Sequence, residues 1–417
     1  MTPVLMLVGG NADAVRKAQS LGQQVVLIQH RDKLALGGHD LAEVTVVADY
    51  TDWSVLRPLA ITLREVYGVT AVTSLTEAGV ENAARLNDLF GFGGTSHEVI
   101  SRMRDKATMR AHLDAVGAST IAHAVVTDAD SMRAFGAAHG YPFIVKPTNA
   151  TASFGVRRVD GPDGIDEAYA QVNAMRGEKT DRGSTLFTVR EFLMEQYVDG
   201  PEFSVEAFSF AGRHVIVSVT EKMLGDGHCA ELGHTVPARI PAATRAEIAT
   251  AVRVFLDAIG LTDGATHTEV RLGAHGPAII ETHNRVGGDY INELVASAYG
   301  VDLITYGVAW PMRLIEELPD EVRAVGGACV RFLHSEVAGT VTGVSGVDEV
   351  RQLPEVLTAT ISAKPGDEVR PLRDNWDRLG MVAVSGTDAP SAVARCEAII
   401  RDDITITVDS DALVGAA

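Results

Sequence analysis

The chain has 417 residues, 46% hydrophobic and 22% charged, with a formal net charge of −19, which is length enough for two or three domains with proper cores. The acidic balance and the lack of any Lys/Arg run exclude a nucleic-acid partner, because phosphate binding needs a basic face. No apolar run reaches membrane-spanning length, and Cys229, Cys329 and Cys396 lie far apart without metal-ligand spacing; the expectation is a cytoplasmic protein with reduced, mostly buried thiols and no membrane contact.

Residues 3–9 read as a buried strand. Gly9-Gly10-Asn11, a helical pattern through Leu21 and a second apolar run at 25–28 complete a βαβ unit, which runs at 43–48 and 69–73 extend into a parallel sheet. The glycines do not match G-x-G-x-x-G, and Gln29-His30 stand where a dinucleotide fold carries an acidic residue, so an NAD-dependent dehydrogenase is disfavoured. A half-Rossmann domain that touches substrate or supports its neighbour is expected instead.

Ser101 to Gly117 reads as one amphipathic helix carrying Lys106 and Arg110. Strand 122–126, helix 129–139 and strand 141–147 follow, with Lys146 closing an apolar run just before Pro147. The small, polar stretch 149–156, NATASFGV, suits a flap whose backbone N–H groups cover phosphate oxygens. Residues 176–185 read as an exposed, charged loop. A strand then ends in Glu195, passes through Tyr197-Val198, and turns at Asp199-Gly200-Pro201 into a second strand carrying Glu202. Such a hinge offers backbone N–H and C=O to an adenine edge, with Glu202 near the ribose hydroxyls, although a plain hairpin with solvated glutamates has the same local pattern. Thr244 and Glu247 read as a capping box for a helix that Gly260 ends.

The stretch from His267 to Asp289 organises the rest. Two β-branched runs flank a turn at 274–277, so Glu269 and Glu281 can lie side by side on neighbouring strands. An unpaired carboxylate in such apolar surroundings is costly, and something positive is expected between them. Glu281 is followed by His283, Asn284 and Arg285, which adds further metal ligands and a guanidinium for phosphate or carboxylate. Gly287-Gly288-Asp289 then opens a helix whose free N–H groups favour an anion. Any one of these residues alone is more often a solvated surface group; five at the end of one buried strand favour a site.

In this order, the lysine helix, strand-end Lys146, small flexible loop, Glu195–Glu202 hinge and Glu269/Glu281 pair resemble the ATP-grasp superfamily. The resemblance implies an α/β and α+β chain of three parts. These are a Rossmann-like N-terminal domain over 1–100, an ATP-grasp region over 101–310 and a C-terminal α+β cap domain over 311–417. The middle region would divide into a nucleotide-lid subdomain, 101–188, and a catalytic subdomain, 189–310. By that likeness Lys106 and Lys146 contact ATP phosphates, Ser153-Phe154-Gly155 lie in the flap, and Glu195, Tyr197 and Val198 hold adenine with Glu202 on the ribose. Glu269 and Glu281 bind Mg²⁺, with Mn²⁺ an alternative. The related metal motif reads E-x-N-x-R; here His283 takes the asparagine's place as third ligand, and Asn284 is the alternative.

The run Glu231-Leu232-Gly233-His234-Thr235-Val236-Pro237 and the run His267-Thr268-Glu269-Val270 look like the branch of L-amino acid ligases and dipeptide synthetases of antibiotic pathways. There Glu231 would sit in the amino-acid pocket and His234 beside the reacting acyl phosphate. Arg285 would grip a carboxylate or phosphate, with Gly287 and Gly288 beside the substrate. The implied function is an ATP-dependent carboxylate–amine ligase acting through an acyl phosphate on small-molecule carboxylate and amine substrates. The superfamily's habit makes a homodimer the oligomeric expectation. A biotin-carboxylase-like or purine-pathway ligase and a non-catalytic nucleotide-binding regulator are the alternatives.

Overall fold

The computed structural model describes residues 2–119, 121–151, 153–180, 186–225 and 230–409. Cys229, Ala152 of the flap and residues 181–185 of the charged loop lie outside the described residues.

The first domain is the expected parallel sheet. Strands Val4–Val8, Gln24–Gln29, Val44–Val47 and Ala71–Thr73 pair in parallel, with the first strand between the second and the fourth. Val4 to Val8 are all buried, as a strand covered on both faces requires. Asn11 caps the first helix, Ala12–Ser20, its side-chain oxygen accepting from Ala14 N at 2.9 Å.

The single helix expected over 101–117 is two, His97–Arg104 and Lys106–Ala115. Asp105 separates them in an extended conformation, and its carboxylate accepts from Thr108 N at 2.9 Å. An aspartate this close to a helix start competes for the orphan N–H groups and restarts the helix. The break places Lys106 in a first helical turn, where its N–H donates to Thr148 O at 2.9 Å.

An antiparallel sheet of His123–Val125, Phe192–Gln196, Phe143–Pro147 and Arg157–Val159, in that order, forms the lid. Helices Ala129–His139 and Ile165–Met175 cover it through Met132, Phe135, Ile165 and Val172.

Below the lid runs an antiparallel sheet of eight strands. Their order is Gly276–His283, Gly264–Gly273, Glu202–Phe210, Arg213–Leu224, Glu231–Val236, Gly327–Leu333, Gly380–Gly386 and Val356–Ile361. Helix Ala242–Ile259 packs on one face against Phe203 and Val205, and helix Ile291–Tyr299 on the other against Phe208 and Val215. The first of these helices starts two residues before Thr244: Pro241, with φ −54°, leads straight into it and no side chain caps it. The capping box expected from Thr244 and Glu247 therefore does not form, because both residues already lie within the helix. Gly260 ends it with φ +86°.

The last three strands of that sheet belong to the C-terminal part of the chain, so the sheet runs on without a gap from Val236 paired with Ala328. Helix Ala389–Asp402 covers this end, with Cys329 and Cys396 as buried, unbonded thiols. Among the described residues no helix is long and apolar enough to cross a membrane.

Candidate active site

The hairpin pairs His267 with His283, Thr268 with Thr282 and Glu269 with Glu281, and a bulge follows Glu269. Alternation puts Thr268 and Thr282 on one face, their hydroxyls 2.9 Å apart, and the two glutamates on the other. The positive charge expected between them comes from two lysines. Lys106 Nζ lies 3.0 Å from Glu281 Oε2 and donates to Ala150 O at 2.7 Å, while Lys222 Nζ lies 2.8 Å from Glu269 Oε1. Burial pulls the Glu269 carboxyl upward, but Lys222 outweighs it and holds the pKa at about 2. Glu281 is likewise held well below the usual carboxylate range, burial being overcome by Lys106 and by a hydrogen bond from His283.

Two adjacent ionised carboxylates are a donor set that fits a hard divalent cation. Of the two candidates for a third ligand, Asn284 is spent elsewhere, its amide donating to Ala265 O at 2.9 Å and Asp263 O at 3.3 Å. His283 faces the carboxylates: Nε2 is 2.8 Å from Glu281 Oε1, while Nδ1, 3.0 Å from Glu77 Oε2, makes no hydrogen bond. Burial and the nearby Arg285 push its pKa down to about 4, so the ring is neutral at pH 7. A neutral imidazole with an orphaned nitrogen is in the form a metal can use.

Eight of the residues expected to hold the nucleotide, Lys106, Lys146, Ser153, Phe154, Glu195, Tyr197, Val198 and Glu202, line a cleft between lid and main sheet. Gly155 does not line it. With φ +70°, it packs behind the flap, where a Cβ would come within 2.6 Å of Met175 Cε. Glu195 is committed to cations: Oε2 lies 2.6 Å from Lys146 Nζ, and Oε1 accepts from Arg110 Nε at 2.7 Å. Burial would raise its pKa, yet those two partners bring it down to about 2. Arg110 also donates to Ile279 O and Ile280 O at 2.9 and 3.0 Å, tying helix, lid and hairpin together. Glu202 lies 2.7 Å from Lys222 Nζ and accepts from Arg271 Nε at 3.0 Å.

On the far side of the carboxylates a cavity of about 480 Å³ is lined by Glu231, His234, Arg285, Gly287 and Gly288 together with loops of the first and last domains. Arg285 Nε donates to Glu77 Oε2 at 2.7 Å, and the other oxygen of Glu77 accepts from Arg104. Glu77 comes from the loop after the fourth parallel strand, so the N-terminal domain does reach the site. Gly287 is needed for close approach: a Cβ there would stand 3.0 Å from His267 Nδ1 and 3.1 Å from Glu206 Oε2. That buried pair is itself bonded at 2.9 Å; burial lowers the His267 pKa, but Glu206 outweighs it and lifts it to about 9. Glu231 Oε1 lies 2.8 Å from Lys222 Nζ, while Oε2 accepts from Asn375 Nδ2 and Arg378 NH2, each at 3.1 Å.

Sequence reasoning missed Lys222, Glu77, Asn375 and Arg378. Lys222 had a signal, since it continues the inward alternation of Ser218 and Thr220, both buried. Glu77, Asn375 and Arg378 had none, because nothing local marks a loop residue that docks from another domain.

A lid sheet closing over a second sheet, with strand-end and helix-start lysines above paired carboxylates, is the ATP-grasp architecture, and the chain carries an ATP-grasp domain. Residues 139–293 match the ATP-grasp domain family and residues 331–409 match L-amino acid ligase C-terminal domain 2. The chain is 24% identical to alanine–anticapsin ligase of Bacillus subtilis (strain 168) over 255 residues, 58% of this chain and 54% of that one. It is 22% identical to an L-arginine-specific L-amino acid ligase of Bacillus subtilis over 348 residues, 80% and 79% of the two chains. It spans 66% of the length of an uncharacterized protein, y4rH, of Sinorhizobium fredii that it matches at 28% identity over 78% of its own length. The crystal structure of L-amino acid ligase from Bacillus licheniformis superposes with a TM-score of 0.82 at 22% identity, over 98% of this chain and 99% of the other.

Proposed function

We propose that this chain is an ATP-dependent carboxylate–amine ligase that joins an amino acid to a second amino acid or small carboxylic acid, releasing ADP and phosphate. The observation that carries the reading is the Glu269/Glu281 pair, which lines both the nucleotide cleft and the substrate cavity. A phosphoryl group handed from one side to the other must pass these carboxylates. Glu269, Glu281 and His283 would hold Mg²⁺ there, and the ion would supply positive charge against that developing on the transferred phosphoryl group.

The rest falls to the chain's own side chains. Lys106 and Lys146 sit at the cleft, where they offset phosphate charge and align the γ-phosphoryl group. A substrate carboxylate oxygen attacks that phosphorus, the bond to ADP breaks, and an acyl phosphate forms. Arg285 supplies a guanidinium fork for the phosphoryl oxygens. The amine is bound as its ammonium, releases one proton to water, and then attacks the acyl carbon as the neutral nitrogen. Phosphate leaves with the electron pair of the C–O bond and takes up the amine's second proton. No residue of the chain becomes covalently attached.

The names of the ligase relatives support an amino acid as one substrate. The test is ATP consumption with Mg²⁺ against pools of L-amino acids and small carboxylic acids, with nucleotide and product masses read together. ADP, phosphate and a new amide mass are the expected result; AMP with pyrophosphate would overturn the acyl-phosphate route.

A further inference from the structure

Among the described residues lining the substrate cavity, two side chains carry a permanent positive charge, Arg285 and Arg378. Arg285 leaves the strand end two residues after His283 and is held by Glu77, on the side where phosphoryl transfer would occur. Arg378 enters from the C-terminal domain. A short 3-10 turn, Asn375–Asp377, presents it, and that turn is fixed: Asp374 accepts from Trp376 N at 2.8 Å, and Asp377 accepts from Arg370 Nε at 2.6 Å. The Arg378 guanidinium lies 3.7 Å from the centre of the Phe332 ring. It donates through NH1 to Asp289 Oδ2 at 2.8 Å, through NH2 to Glu231 Oε2 at 3.1 Å and through Nε to Glu231 O at 3.0 Å.

An enzyme that joins two amino acids activates one carboxylate and leaves the other free. The free one leaves bulk water on binding and needs a cation in return, best a planar fork that meets both its oxygens. We propose that Arg378 anchors the unactivated α-carboxylate of the amine-donating amino acid, whose nitrogen is received by Asp289 and His234. This rests on the ligase reading.

The Asp289–Arg378 pair holds the place of a zwitterion. An amino acid that inserts its nitrogen beside Asp289 and its carboxylate beside Arg378 exchanges one internal pair for two pairs of the same kind, and the charge of the cavity stays balanced. His234 gives independent support. It is 1% exposed, yet neither ring nitrogen has a hydrogen-bond partner, and Nε2 stands 3.8 Å from Asp289 Oδ2. Buried polar atoms are rarely left so unless a ligand satisfies them. Asp289 is also held at φ +51° and Tyr290 at φ +69°, backbone strain of the kind that collects at ligand sites. Glu231, His234 and Asp289 could instead be taken for a metal site, since their donor atoms lie within 4.8 Å of one another. Arg378 donates to a carboxylate oxygen of each of the two acids, so a cation there would first have to displace its guanidinium.

The test is a competition. The whole chain, with ATP and Mg²⁺, receives an equimolar pool of the proteinogenic L-amino acids other than Asp and Glu and the same pool as α-carboxamides. Carboxamides can act only as amine donors, so the ratio of dipeptide acid to dipeptide amide, read by mass, reports recognition of the free carboxylate alone. The wild-type ratio is expected to be roughly 30 or more, the worth of a desolvated guanidinium–carboxylate pair. Arg378→Gln should bring it close to one, and Arg378→Lys should recover part of it. A wild-type ratio near one overturns the inference without any variant, as does an unchanged ratio in Arg378→Gln. Hydroxylamine trapping separates the two readings. Hydroxamate formed without dipeptide of either kind retains acyl activation and overturns the anchor, whereas no hydroxamate and no ADP removes the ligase reading and the anchor with it.

Discussion

The cleft under the lid and the cavity beyond the carboxylates share Glu269 and Glu281, yet they are assembled in different ways. The charged groups of the cleft come from one continuous stretch, Lys106 to Glu281, and meet through strand pairing: Glu195 lies across from Ile144, next to Lys146, and Glu269 across from Glu281. The cavity draws on places far apart in the chain, among them the loop with Glu77, the strand with Glu231 and His234, the end of the hairpin and the turn with Arg378. Pairing register fixes the first kind of site as soon as the sheet forms. The second exists only when three domains have docked.

The sharpest break in that comparison comes at the shared wall. Glu269→Gln is expected to lose turnover by roughly 100-fold or more, because a carboxylate that could hold the metal is gone. The fold should survive, since Lys222 keeps Glu202 and Glu231 as partners; steady-state kinetics beside a thermal melt would show it, and near-normal turnover would remove Glu269 from the metal site.

Inside the cleft the effect shifts to stability. Glu195→Ala leaves Lys146 and Arg110 buried without their carboxylate, which should cost about 3–5 kcal/mol in urea unfolding. Because the folded pKa of Glu195 is lowered from 4.5 to about 2, its contribution is present above pH 4.5 and is lost as pH falls toward 2. Glu195→Gln should therefore flatten the acid limb of the stability–pH curve in that window; an unchanged limb would refute the assignment.

Across the seam between the first domain and the cavity, Glu77→Ala frees Arg104 and Arg285 together. A loss of about 2–3 kcal/mol is expected in denaturant unfolding, with a smaller loss on the cleft's own contacts. If hydrogen exchange in the parallel sheet and the main sheet responds equally, Glu77 does not act at the seam. The smallest effect belongs to the helix break: Asp105→Ala removes the cap that sets Lys106, at about 1 kcal/mol by thermal unfolding.

The same division decides what could be read from the sequence. The βαβ start, the hinge at 197–201 and the Glu269/Glu281 pairing follow from periodicity and turn residues, which act locally. The break at Asp105 was missed because its side chain competes with the helical pattern, and the Thr244 cap was misplaced because Pro241 starts the helix two residues earlier. Glu77 and Arg378 carry no periodic mark at all. Their partners, Arg285 and Asp289, lie 208 and 89 residues away, and only docking brings them together. Lys222 falls between these cases: its alternation was visible, but its three carboxylate partners belong to three other strands.

The unbroken eight-stranded sheet limits how this chain can be cut and recombined. Separating the C-terminal part near residue 310 would expose two strand edges at once, Glu231–Val236 on one piece, buried from Gly233 on, and Gly327–Leu333 on the other, buried throughout. Unpaired strand edges of that kind pair with any strand they meet. The C-terminal domain is thus not an exchangeable module, and a chimera that aims to change substrate choice should graft the turn at 374–378 and leave the sheet whole.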